Sequence, residues 1–131
     1  MEILIIGTPF ETAKILDNLR LQKQIIECQQ ILEALNRGNT LNNHQCVLQY
    51  KEHEEWLNFY LDCLVYYQCA LHEESWAKQD SFIIKSQICS RFAMDVRPAF
   101  HTQEYFNQIK RKLYMEDKEY YKQWQRYDFN D

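Results

Sequence analysis

Two glycines and two prolines are all the backbone punctuation available to this 131-residue chain, at Gly7, Gly38, Pro9 and Pro98. Sandwiches and barrels turn roughly every 8–12 residues and draw on glycine and proline to do so. Between Gly38 and Pro98 neither residue occurs. Long unbroken stretches with apolar residues near a 3.6-residue period leave helices as the main element. The expected fold is all-α. It is a compact single-domain bundle over 1–131, with two long antiparallel helices, shorter C-terminal helices and a short extended N-terminal segment. A chain of this length can bury one core without disulfides or metal.

The first long helix is read from Thr8 to Asn36. Thr8-Pro9-Phe10-Glu11 is a capping box with proline at the first helical position, and Arg37-Gly38 is a usual stop. Asp17-Asn18 is its weak point, where a kink or break is expected. On a helical wheel Leu21, Ile25, Cys28, Leu32 and Leu35 share one face, with Ile31 at its edge. Gln22, Gln29, Glu33 and Asn36 form the opposite, solvated face. A third stripe, Arg20, Lys23, Glu27 and Gln30, runs between the main apolar face and a minor one of Leu19 and Ile26. Solvent-facing charge needs no apolar shoulder on both sides, so this stripe is a candidate site.

The segment after His44 reads as a second long helix to Leu71, with Cys46, Tyr50, Leu57, Tyr60, Leu61, Leu64 and Tyr67 on one stripe and Trp56 beside it. A third helix is expected over 73–93. Pro98 forces a loop at Arg97–His101, Thr102 caps a short helix, and residues 117–127 form a last helical segment. The run Ile3–Ile6 is extended, with no second strand to pair with. It is too short for a signal peptide or membrane span, so the protein is expected to be soluble and cytoplasmic.

The five cysteines (Cys28, Cys46, Cys63, Cys69, Cys89) are an odd number without metal-ligand spacing. They read as reduced thiols, two of them on apolar helix faces. Four dispersed histidines make no metal site, and no metal or cofactor is expected. The net charge of −4 argues against a strongly basic nucleic-acid binder. The acidic excess is confined to residues 1–90, so any phosphate contact would be local.

Within the stripe, two cations lie within reach of one carboxylate. A partly desolvated Glu27 would need a partner or a proton, and could act as general acid or stabilise a developing cation. The same residues could equally form an internal ion pair that fixes helix packing. His53, placed between Tyr50 and Leu57, reads as a core histidine bonded to a tyrosine or a backbone carbonyl. His44 stands at a helix start, where anions bind well but ordinary turn residues also occur. His101, beside Thr102, has functional and capping readings. Lys110-Arg111-Lys112, Lys118, Lys122 and Arg126 interleave with Tyr105, Tyr120, Tyr121 and Trp124. Those types serve phosphate contact and base stacking, or merely a solvated helix end.

Several runs together carry a family resemblance: Ile6-Gly7-Thr8-Pro9, Leu16-Asp17 through Leu21, Lys23-Gln24 and Glu27, Asn43-His44, and Tyr50-Lys51 with His53. Arg97-Pro98, Phe100-His101-Thr102 and Tyr105-Phe106 before Lys110-Arg111 extend it over nearly the whole chain. The sequence resembles the pyrimidine-dimer DNA glycosylases of the phage endonuclease V type, in their bacterial branch. The resemblance implies a compact helical protein that binds damaged duplex DNA, excises a UV-damaged base and nicks the strand. In such enzymes an amine attacks C1′ of the damaged nucleotide, a Schiff base forms with help from a glutamate, and elimination follows. Glu27 matches that glutamate, and Arg20 falls where the family places a DNA-contacting polar residue. Gln30, His44, His53, Arg97, His101, Lys110 and Arg111 complete the set of candidate DNA contacts.

The chain departs from the characterised phage member, which uses the α-amine of an N-terminal threonine. Here Glu2 follows Met1, so the methionine is expected to be retained. The remaining amines are the Met1 terminus, of a class with reference pKa near 8, and Lys14 or Lys23, of a class near 10.4. Met1 and Lys23 stand with Glu27 as the catalytic candidates. Two alternatives stay open: a non-catalytic helical module binding protein or nucleic acid through its aromatic C-terminal region, and an enzyme acting on a small nucleotide. The oligomeric state is left open.

Overall fold

The computed structural model describes residues 1–37, 44–71 and 97–128. These residues form helices and no strand: α1 (Pro9–Ile15), α2 (Asn18–Arg37), α3 (Gln45–Gln49), α4 (Glu54–Leu71), α5 (Gln103–Glu116) and a C-terminal 3-10 helix (Lys122–Asp128) kinked at Trp124. The helix expected over 73–93 lies outside them, as do Cys89 and the side chain of Cys69. None of the described helices is long and apolar enough to cross a membrane.

The expected Thr8–Asn36 helix is two helices. Thr8 caps α1, its hydroxyl accepting from Glu11 N at 3.1 Å. Leu16 then turns to extended geometry, φ −62° and ψ 139°. Asp17 restarts the chain: its carbonyl accepts from Leu21 N at 2.8 Å and its carboxylate from Arg20 N at 3.4 Å. That is the work of an N-cap aspartate. Tyr121 supports the break, its hydroxyl accepting from Asp17 N at 3.0 Å and donating to Asp17 Oδ1.

The helix expected from His44 to Leu71 is also two. His44 caps the short α3, its Nδ1 accepting from Cys46 N at 3.1 Å. A turn at residues 50–53 follows, with His53 N donating to Tyr50 O at 3.0 Å. The His53 carbonyl then accepts from Leu57 N as α4 begins. His53 therefore stands in the turn, not on a continuous helical stripe. Tyr50 and Leu57 are both buried, so the apolar phase survives the interruption that divides the helix.

The apolar faces meet as their periodicity requires. From α2, Leu21, Ile25, Cys28, Ile31 and Leu32 are buried against Trp56, Leu57, Tyr60 and Leu64 of α4 and against α3. Each fully buried leucine or isoleucine contributes roughly 1.5–3 kcal/mol. Cys28, Cys46 and Cys63 are buried and outside any disulfide, and burial pushes the Cys46 thiol up to about 11. The minor apolar shoulder on α2 does not pack as expected. Leu19 is 72% exposed and Ile26 54%.

The extended run Ile3–Ile6 lies in the core, every residue of it buried. Buried peptide groups without partners are costly, and here side chains supply the partners. Gln24 Oε1 accepts from Leu4 N at 2.8 Å, and Gln24 Nε2 donates to Glu2 O at 2.8 Å. Tyr60 Oη donates to Leu4 O, Thr12 Oγ1 accepts from Ile6 N at 3.0 Å, and Tyr105 Oη donates to Ile3 O at 3.4 Å. Side-chain groups thereby do for this extended run what a neighbouring strand would do in a sheet. On the far side α5 packs on the 3-10 helix, where Tyr121 and Trp124 stack with centroids 5.3 Å apart.

Candidate functional site

Where α2 passes the N-terminal segment and α5, a cleft of about 150 Å³ opens, lined by Met1, Glu2, Leu4, Arg20, Lys23, Gln24, Glu27, Lys112 and Glu116. Three members of the expected stripe therefore share one cavity with Met1. Gln30 is exposed on α2 and outside this lining, and Lys14 is exposed on α1.

Glu27 is 9% exposed. Its Oε2 accepts from Gln24 Nε2 at 2.9 Å and from Glu2 N at 3.3 Å. Among the described residues Oε1 accepts no hydrogen bond. The carboxylate thus has, among the described residues, one oxygen held and one uncommitted. Lys23 is exposed on the rim and pairs with no described carboxylate. Met1 precedes Glu2, whose backbone N donates to Glu27 Oε2.

Arg20 is engaged differently from a free anion-binding arginine. Its Nη1 lies 3.2 Å from Asp17 Oδ1 and its Nη2 3.0 Å from Glu116 Oε2, with the guanidinium 5.9 Å from the Tyr121 ring centroid. Burial disfavours the cation, and bonds to Glu116 and Asp17 more than offset this, holding its pKa above the ordinary value. Lys112 reaches across from α5 to Glu2 Oε1 at 2.5 Å. Three cationic side chains and three carboxylates line the cleft, so the local balance is even in an acidic chain.

The histidines lie elsewhere. His101 is 3% exposed, hydrogen-bonded through Nε2 to Tyr50 Oη at 2.8 Å. Trp56, Phe100, Tyr105 and Phe106 surround it. Burial, with neighbouring His53 and Arg97, pushes its pKa down to about 3. The tyrosine-bonded core histidine expected at position 53 is His101. His53 and Arg97 line a separate, wider cleft of about 580 Å³ with Lys51, Glu52, Glu54, Glu55 and Trp56. His44 is exposed at its cap. No described cluster of histidine, cysteine or carboxylate side chains could hold a metal ion.

The C-terminal aromatics are largely committed to packing. Tyr121 and Trp124 are buried, Lys110 lies 6.0 Å from the Trp124 ring and 5.6 Å from that of Tyr127, and Arg126 lies 4.8 Å from Tyr127. Tyr120 is the half-exposed member, and Arg111 is partly buried on α5.

A family model described as pyrimidine dimer DNA glycosylase matches residues 1–77. The chain belongs to this family. No curated protein and no solved structure matches it. The matched residues contain α1, α2 and the N-terminal segment, and with them every cleft residue except Lys112 and Glu116. The resembling runs around Arg97–Arg111 lie beyond the match.

Sequence reasoning missed Gln24, Glu2 and Glu116 as parts of this cavity, and Asp17 as the partner of Arg20. Gln24 had a visible signal. On the wheel it falls between Ile31 and Leu35, inside the apolar face, where an amide must find partners. Glu116 reaches the cleft through a contact 96 residues apart in the chain, and Glu2 through contacts 22 to 110 apart, which no local pattern encodes.

Proposed function

We propose that this protein is a glycosylase acting on UV-damaged duplex DNA, with associated strand nicking through a Schiff base. The observation that carries the proposal is a buried carboxylate, Glu27, sharing one cleft with two amines, Met1 and Lys23, in a chain of the pyrimidine dimer DNA glycosylase family. The amine we assign is the α-amine of Met1. As a class, α-amines have a larger neutral fraction near neutral pH than lysines, and only a neutral amine is nucleophilic.

The amine lone pair attacks C1′ of a nucleotide drawn out of the duplex. The glycosidic bond breaks, and the base leaves with the electron pair and takes up a proton. Opening of the sugar gives the Schiff base. Loss of a C2′ proton then expels the 3′ phosphate and nicks the strand. The Glu27 carboxylate, through Oε1, stabilises the cationic character that develops at the sugar and relays protons during opening and elimination. Lys23 offers a phosphate contact beside it.

Borohydride trapping on duplexes carrying a pyrimidine dimer or an abasic site tests this. The expected result is a covalent adduct whose mass maps to Met1, with nicking lost in Glu27→Gln. An adduct on Lys23 would reassign the amine. No adduct, or unchanged nicking by Glu27→Gln, would overturn the mechanism.

A further inference from the structure

We infer that Gln24 is a positioning residue that sets the distance between Glu27 and the N-terminal amine. This rests on the proposed chemistry of the cleft. Gln24 is 1% exposed, yet no bonding atom of its amide is wasted. Nε2 sends one hydrogen to Glu2 O and the other to Glu27 Oε2, while Oε1 accepts from Leu4 N.

The two backbone bonds go to residues two apart on one edge of the extended run, the pattern a neighbouring strand would use. One planar group therefore fixes both partners of the reaction: the backbone leading to the Met1 amine and one oxygen of the carboxylate. Among the described residues it also leaves Oε1 of Glu27 uncommitted. Glu2 N closes the ring by donating to the same Oε2 at 3.3 Å. A reacting pair misplaced by about 1 Å loses up to about a hundredfold in rate, so a rigid bridge at this point bears on chemistry and not on folding alone.

The structure supplies a control for folding. Thr12 also pins the extended run, accepting from Ile6 N at 3.0 Å and donating to Thr8 O, and hydrogen-bonds to neither Glu27 nor Glu2. Thr12→Val and Gln24→Met each remove a buried partner from the same segment.

The test is single-turnover adduct formation, trapped by borohydride on an abasic-site duplex, as a function of pH. It compares the intact chain with Thr12→Val, Gln24→Met, Gln24→Glu and Glu27→Gln, each corrected for its folded fraction. Thr12→Val is expected to lose stability but stay within about twofold in rate. Gln24→Met is expected to fall about tenfold or more. Gln24→Glu keeps the acceptor for Leu4 N but sets a second carboxylate against Glu27. Two such groups share a proton, so the acid limb of its profile moves to higher pH.

Should Gln24→Met not fold, Gln24→Glu carries the test. A Gln24→Met rate equal to that of Thr12→Val, or an unmoved acid limb in Gln24→Glu, overturns the positioning role while trapping by the wild type and loss in Glu27→Gln leave the cleft chemistry standing. Absence of any wild-type adduct removes the chemistry, and the positioning role with it.

Discussion

Arg20 Nη2 lies 3.0 Å from Glu116 Oε2, tying α2 to the end of α5 across 96 positions of sequence. The same guanidinium bonds to Asp17, the residue that starts α2. Arg20 is thus held between two carboxylates at the mouth of the cleft. Breaking this arrangement leaves Asp17, only 13% exposed at its side chain, without its cation. Arg20→Gln is expected to lower stability by about 1.5–3 kcal/mol, the worth of hydrogen bonds to charged groups, in urea unfolding. Glu116→Gln should cost less, because its side chain is 42% exposed. Equal stability of Arg20→Gln and wild type would show that the network does no structural work.

Lys23 makes the complementary case. It is exposed on the cleft rim without a described ion-pair partner. A lysine that neutralises one phosphate contributes about 0.9 to the slope of log binding constant against log salt. Lys23→Gln should therefore reduce that slope by about 0.9 on duplex DNA while leaving the unfolding midpoint within error. A slope unchanged in Lys23→Gln would remove Lys23 from the DNA interface.

These two cations belong to one stripe on the wheel, and that stripe shows how far the sequence could be read. Helix content, the caps at Thr8 and Thr102 and the weak point at Asp17 depend on nearest neighbours in the chain, so local pattern exposed them. The turn at residues 50–53 was hidden for a physical reason. It contains no glycine or proline, and Tyr50 and Leu57 stay buried on both sides of it. Arg20 and Lys23 look alike by spacing, yet one is neutralised by Asp17 and Glu116 and the other is not. That difference comes from tertiary contacts. The same is true of the histidines: two on an aromatic-rich chain are interchangeable in pattern, and only packing chose His101 as the buried partner of Tyr50.

The burial of His101 makes a pH-dependent prediction. Its folded pKa is pushed down to about 3, below the usual value of 6.5 for an imidazole. The unfolded chain therefore binds a proton that the folded chain refuses. The resulting stability is fully present above about pH 6.5 and is lost as pH falls through the window down to about 3. His101→Gln keeps a polar partner for Tyr50 but cannot titrate. Its stability should fall less steeply than that of wild type between those limits, as followed by thermal unfolding. Parallel curves for the two proteins would show that His101 is not a source of acid sensitivity.

The last prediction concerns the buried extended run Ile3–Ile6. Tyr60, fully buried on α4, donates its hydroxyl to Leu4 O, and Thr12 accepts from Ile6 N. Tyr60→Phe and Thr12→Val each leave a buried peptide group unsatisfied, at a cost of about 1–3 kcal/mol. The two bonds hold different residues of one segment, so their effects should couple. Once Leu4 is released, the bond at Ile6 secures a run that is already loose, and the double variant should lose less than the sum of the singles. Amide exchange at Ile6 and Leu4 should accelerate in both single variants, because each opens the same extended unit. Strict additivity, with exchange increased only at the altered contact, would mean that the segment is held residue by residue instead of as one cooperative element.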